Sequence, residues 1–380
     1  EAIQCPVMAV SGGADGYSNT VFRLMKHLKV PRRGLIGAWG HKYPHMGGPG
    51  PEINFLNEAV RWWDQWLKGI DRGVDKDPMI RVWMQDTVSP MSSRRPGRWV
   101  AEKTWPAPDI QTESYPLEPG KVCFKGEDQQ EIGLSIQSPL NVGLFAGKWC
   151  SYAESTDLPS DQREEDGGAL IFDSPLLEED YEILGAPVLE LELESNKPVA
   201  TVAARLSDVS PNGRATRVTY GLLNLTHRDS QENPEELEVG KRYTIRLPLN
   251  YVAQRFPAGN QIRVSISSSY WPLAWPSPEP AKLTRYTRKS RLILPKRPFR
   301  SSDQHLRNLG KPEDLDPIPT TLLVPSQREW QVVHNLATNE VNLHVTNNDA
   351  QYRLDDINLT IRKDVTERYS YRNNLYDTVR

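Results

Sequence analysis

Cysteine is nearly absent: Cys5, Cys123 and Cys150 are the three among 380 residues, and no two of them form a C-x-x-C pair. An odd, scattered set excludes a disulfide framework and gives no structural zinc signature, so a reducing, cytoplasmic setting is expected. Long apolar runs are missing too. No stretch approaches the ~20 consecutive apolar residues of a membrane-spanning helix, and no membrane span is expected. Nor is there an excess of charge of one sign: 46 Lys and Arg face 49 Asp and Glu, a net −3. So close a balance creates no long-range field favouring nucleic acid or an anionic membrane, and directs attention to a small-molecule site. The sequence shows neither an initiating Met nor a signal-like segment. It starts at Glu1 and enters an apolar run at residues 5–10, as a chain lacking a preceding portion would.

What is present falls into two patterns, and the length allows two or three domains. Over residues 1–74, α and β alternate. CPVMAV (5–10) ends in Ser11-Gly12-Gly13 and GLIGAW spans 34–39; both read as buried strands closed by turns. Between them Ser18 is the expected N-cap of a helix carrying Val21, Phe22, Leu24, Met25 and Leu28 on one face. A β-α-β unit of this kind has parallel strands, with both carboxyl ends on one edge of the sheet. Residues 54–70 give the clearest helix. Phe55, Leu56, Ala59, Val60, Trp63, Trp66, Leu67 and Ile70 recur at three and four, with Glu58, Arg61, Asp64, Gln65 and Lys68 on the polar side. Trp62, Trp63 and Trp66 are expected in the core.

Over 75–380 the period becomes two, with strands predicted at 79–84, 188–193, 201–206, 218–225, 243–249, 262–266, 291–294, 341–345 and 357–361. VLELELE is the strongest, its alternation committing one face to a core and the other to water. Many short strands and few helices predict a sandwich or jelly roll, which 341–345 and 357–361 are expected to complete. A polar, acidic loop at 151–166 and a Pro-rich, extended crossing segment at 295–325 interrupt the pattern. The eight basic residues in 282–300 lack interleaved stacking aromatics. They read as a solvated strand edge or a partner for the acidic loop, not as a nucleic-acid site.

Asp15 follows the first strand and His41 the second, so the fold delivers both to the sheet edge where open α/β sheets bind ligands. An Asp that orients a His, which then acts as general base toward a nucleophile, is the logic of a catalytic triad. Asp15-Gly16 is also an ordinary turn dipeptide and His41 an ordinary loop residue. His41 and His45 have an i, i+4 spacing, but Pro44 and the surrounding glycines oppose the helix a metal pair would need, and no metal is expected. Trp271 and Trp275, in the Pro-rich YWPLAWPSPEP, are expected to line a substrate pocket.

SGGADGY followed by GLIGAWGHKYPH, then FLNEAVRWWDQWLKGIDRGV, DPMIRVWMQD and PGRWVAEKTWPAP, resemble in order consecutive segments of the X-prolyl dipeptidyl peptidase, cocaine esterase and α-amino acid ester hydrolase family. GAPVLELELES, VAARLSDVSPNGRATRVTYGLL and FPAGNQIRVSISSSYWP resemble its C-terminal jelly roll, and the likeness extends to about residue 295. The resemblance implies the C-terminal part of an α/β-hydrolase domain over 1–74, followed over 75–380 by a galactose-binding-like β-sandwich jelly roll. It implies that Asp15 and His41 belong to a Ser-Asp-His triad acting on an ester or peptide, without cofactor. The family's Gly-x-Ser-x-x-Gly elbow does not occur before Asp15, and Ser11, four residues away, reads as a turn residue. The expectation is therefore a serine hydrolase fragment whose nucleophile lies upstream and which is inactive alone. The alternative is a noncatalytic binding or assembly module built on the β-rich region. A homo-oligomer is compatible with either.

Overall fold

The computed structural model describes residues 2–124, 130–152, 155–313 and 316–380. Two residues each of the polar loop (153–154) and the Pro-rich segment (314–315) thus lie outside the described residues. The chain is mostly β with few helices, and sixteen of its strands join in one large curled sheet.

The N-terminal unit forms one end of that sheet. Strand β1 (Val7–Gly12) pairs in parallel with β2 (Arg32–Gly37), joined through helix α1 (Ser18–His27). Helix α2 (Phe55–Lys68) follows, then β3 (Ile80–Gln85), which pairs in parallel with β2, and β4 (Gly97–Glu102), antiparallel to β3. β1 ends the path with a partner on one side. Val21, Phe22 and Met25 of α1 pack on Ile36, Ile80, Val82 and Met84 of the sheet, together with Leu184 and Ala253 of the β-rich region. The hydrophobic cluster thereby continues across both regions. Ser18 is the first helical residue, not the cap; Tyr17 stands in the cap position without a side-chain hydrogen bond. Asn54 does cap α2, its Oδ1 accepting from Asn57 N–H, and Gly69 closes the helix with φ 69°.

α2 reverses the expected orientation. Leu56, Val60, Trp63 and Leu67 of the apolar side are exposed, whereas Glu58 and Asp64 of the polar side are buried. Of the three tryptophans only Trp62 is fully buried. The cause is electrostatic: the Glu58 carboxylate accepts from Arg33, Arg61 and Arg307 at 2.6–3.1 Å, a set of partners that offsets its desolvation. Arg307 lies on the Pro-rich segment, which crosses back to the N-terminal unit and buries Leu309 against Leu35, Trp39 and Ile53.

In the β-rich region Val188–Ser195 lies between Tyr243–Pro248 and Leu283–Lys296, antiparallel to both. Leu189, Leu191 and Leu193 join Val202, Ala204 and Leu206 of Thr201–Val209 and Ile262, Val264 and Ile266 of Gln261–Ser267 in one core. The glutamates between those leucines do not face open water. Glu192 pairs with Lys289 at 2.9 Å, and Glu190 with Arg246 at 2.9 Å and Arg291 at 3.8 Å. The basic stretch is thus neutralised largely across strands, and Arg285 and Arg297 are buried. The acidic segment finds other partners, Arg205 and Arg263. The C-terminal strands do not complete the curled sheet. Glu340–Asn348 pairs with Gln327–Asn335 and Asp364–Arg372, while Leu359–Ile361 belongs to a second three-stranded sheet. No described helix is long and apolar enough to cross a membrane.

Candidate active site

The loops after β1 and β2 are stitched together by backbone. Gly13 N–H donates to Gly37 O at 2.8 Å and Ala14 N–H to Trp39 O at 2.9 Å. The approach is so close that a Cβ on Gly12 would stand 1.9 Å from Trp39 O, so only glycine serves at that position. Trp39 itself is buried and donates through Nε1 to Pro51 O at 2.8 Å, anchoring the loop that carries His41.

At the end of these strands His41 Nδ1 lies 3.2 Å from Asp15 Oδ2 and 3.3 Å from Oδ1. The carboxylate is held in turn. Ser11 Oγ donates to Oδ2 at 3.2 Å and Tyr17 N–H to Oδ1 at 3.0 Å. Asp15's side chain is 10% exposed and His41's 44%, so the pair is seated on the carboxylate side and open on the imidazole side. The two residues read from the sequence as a dyad are therefore brought together, and Ser11, which lies within β1 and not in a turn, supports Asp15 from the strand end.

Residues around the dyad that the sequence did not single out come from far along the chain. His41 N–H donates to Ser151 O at 2.6 Å. Tyr17 and Tyr152 flank the imidazole with ring centroids 5.7 and 5.6 Å away, and Trp149 packs edge-on to Tyr17 at 5.1 Å. Gly16 leaves room for that indole, since a Cβ there would stand 2.6 Å from it. Cys150 completes the ring: one ligand-type atom each of Asp15, His41 and Cys150 lies within 4.8 Å of the others. Burial and then the Asp15 charge push the Cys150 thiol up from its ordinary value, opposed by Gly16 N–H donating to the sulfur. No local pattern in 149–152 announces this role, because tertiary packing alone brings the segment to the sheet edge.

A buried charge cluster holds residues 143–145, which lead into this segment. Arg205 Nη1 donates to Glu165 at 2.7 Å and to Gln162 at 3.1 Å, and Nη2 to Asp166 at 3.3 Å. Glu165 also accepts the N–H groups of Gly143 and Phe145. Part of the supposed solvated loop is therefore core. A cavity of about 90 Å³ beside Asp15 is lined by Arg95, between β3 and β4, and by Arg217 and Tyr220 of the β-rich region. Burial, then the Arg217 charge, lowers Arg95 to about 10.

Trp271 and Trp275 line no part of this cavity. Trp271 is wholly buried, edge-on to Tyr369 and Tyr371, and Trp275 is 68% exposed. The 270–280 stretch turns one tryptophan into the core under the C-terminal sheet and leaves the other at the surface.

Residues 72–332 match the family of the X-Pro dipeptidyl-peptidase C-terminal non-catalytic domain. The chain is similar to a cocaine esterase of a Rhodococcus species, 21% identical over 292 residues, covering 70% of this chain and 49% of the relative. Among solved structures it is similar to a CocE/NonD family hydrolase of Staphylococcus aureus (TM-score 0.61, 14% identity, 78% of this chain and 55% of the other). It is also similar to an α-amino acid ester hydrolase (TM-score 0.57, 19% identity, 77% and 56%). The chain spans about half the length of the curated relatives it matches.

Proposed function

The chain belongs to the X-Pro dipeptidyl-peptidase C-terminal non-catalytic domain family, and from that premise we propose that it is part of a serine hydrolase acting on an ester or amide. In this reading residues 1–74 are the end of the α/β-hydrolase domain and supply two members of its triad. The serine comes from outside residues 1–380. The β-rich remainder is the jelly-roll domain that closes the crevice and narrows substrate choice.

The observation that carries the reading is His41 Nδ1 at 3.2 Å from a carboxylate held by Ser11 and Tyr17. Asp15 accepts a hydrogen bond from Nδ1–H and fixes the tautomer, leaving Nε2 free on the open side. Nε2 takes the proton of the incoming serine as it attacks the acyl carbon, then returns it to the leaving group. The names of the relatives include esterases and peptidases, and one such triad serves both chemistries. A further support is a groove between Phe55, Ala59, Trp62 and Trp63 of α2 and Val7, Met8 and Val10 of the edge strand. It is the surface on which the rest of a parallel sheet would pack.

A second reading, a noncatalytic binding or assembly module, is favoured by the match of residues 72–332 to a domain family described as non-catalytic. Fluorophosphonate labelling of the protein from its native source, with intact mass and adduct mapping, decides between them. The hydrolase reading expects a polypeptide well above 43.2 kDa, labelled at a serine outside this sequence and silent in His41→Ala. A native mass near 43.2 kDa without adduct leaves the module. Ester turnover by the isolated chain that His41→Ala abolishes would overturn the claim that the nucleophile lies elsewhere.

A further inference from the structure

We propose that Asp15, His41 and Cys150 together form a binding site for a thiophilic divalent cation of the zinc type. Among the described residues theirs is the one group of three His, Cys, Asp or Glu side chains whose ligand atoms converge, all within 4.8 Å of one another.

The donor set suits such an ion. Zinc takes imidazole nitrogen, carboxylate oxygen and thiolate sulfur at roughly 2.0–2.3 Å in a tetrahedron, which sets donor atoms about 3.3–3.7 Å apart. The His41 to Asp15 separation of 3.2 Å already meets that spacing. The sulfur lies within 4.8 Å of the other two ligand atoms, at most about 1 Å beyond that spacing. A thiolate and a carboxylate neutralise the dication, so the site balances in charge once the thiol has given up its proton to solvent. The sulfur separates this set from a hard-cation site, since Ca²⁺ and Mg²⁺ take oxygen donors.

The surroundings are those of a supported site. Ser11 Oγ and Tyr17 N–H fix the carboxylate, and His41 N–H ties the histidine loop to Ser151, next to Cys150. Outer partners of this kind orient ligands and raise affinity. With three protein ligands and an imidazole open to solvent, a fourth position is left for water. A bound cation takes the Nδ1 lone pair in place of its proton, so the hydrogen bond from Nδ1–H to Asp15 is lost and in the intact hydrolase metal occupancy and acyl transfer would exclude one another. The site itself does not rest on the hydrolase reading, because all three ligands lie in this chain.

The test uses the chain as it stands, with Co²⁺ as spectroscopic probe and Zn²⁺ as competitor. Expected is a sulfur-to-Co²⁺ charge-transfer band in the near ultraviolet with tetrahedral visible bands, one equivalent bound and displaced by Zn²⁺. Cys150→Ser should abolish the charge-transfer band. His41→Gln should weaken Zn²⁺ by roughly a hundredfold, given that outer-shell partners alone are worth about 10–100-fold. Circular dichroism identical to the parent establishes that both variants fold; Cys5→Ser serves as the control that must bind unchanged. Absence of the charge-transfer band in the parent, or its persistence in Cys150→Ser, overturns the proposal. Fluorophosphonate labelling of the native protein tests the triad without metal, so either idea can fail alone.

Discussion

Arg205→Met tests whether the buried charge cluster holds the cleft wall. Arg205 and Glu165 are both wholly buried, joined at 2.7 Å, with Gln162 and Asp166 on the same guanidinium. Removing the cation leaves a carboxylate without its counter-charge, a loss of about 3–5 kcal/mol in such pairs. At roughly 2 °C for each kcal/mol in a chain this large, melting should fall by roughly 6–10 °C. The loss has a definite pH dependence. Burial already raises the folded Glu165 pKa despite Arg205. A raised folded value means stability that is full below the ordinary glutamate value and is lost as pH rises through the raised one. Without Arg205 the folded value climbs further, so the variant should lose more at pH 8 than at pH 5. Arg205→Lys keeps the charge but not the fork and should lose less. Thermal unfolding of the three proteins at both pH values reads this directly. A variant melting with the parent at pH 8, or one more impaired at pH 5, would refute the assignment. Because Glu165 also accepts Gly143 and Phe145 N–H, fluorescence of Trp149 should shift as the segment loosens.

Other outcomes follow from burial and exposure. Trp271→Ala should cost about 3–5 kcal/mol, as for other large buried aromatics, and should make the C-terminal sheet that rests on it protease-sensitive; Trp275→Ala should stay within about 0.5 kcal/mol. Limited proteolysis with mass mapping and thermal melting distinguish the two. Trp63→Glu with Leu67→Glu, on exposed positions of α2, should leave the melting of the isolated chain nearly unchanged and reduce its self-association in sedimentation velocity. In the full-length native protein the same pair should be destabilising, since there the hydrolase reading covers that face.

Much was legible in local patterns, because local physics decides them. The 54–70 periodicity gave α2 its extent, and the alternation of 188–193 a strand with its leucines inward. The two apolar runs ending in glycine gave the parallel pair β1 and β2, and with it the meeting of Asp15 and His41. That meeting needed no knowledge of other contacts: parallel strands joined by a helix must end on the same edge.

Other features were settled by contacts between residues far apart in sequence. Which side of α2 faces inward was decided by Arg33 and Arg307 claiming Glu58, against the hydrophobic periodicity. Whether 151–166 met solvent was decided by Arg205 and Arg263. The arrival of Trp149, Cys150 and Tyr152 at the imidazole, and the departure of Trp271 into a separate core, leave no periodic trace. Periodicity records whether a side chain is apolar, and so determined strands, helices and the sheet edge. A buried charge is tolerated only where distant partners, opposite charges or backbone carbonyls, reach it, and that pairing exists only once the chain has folded.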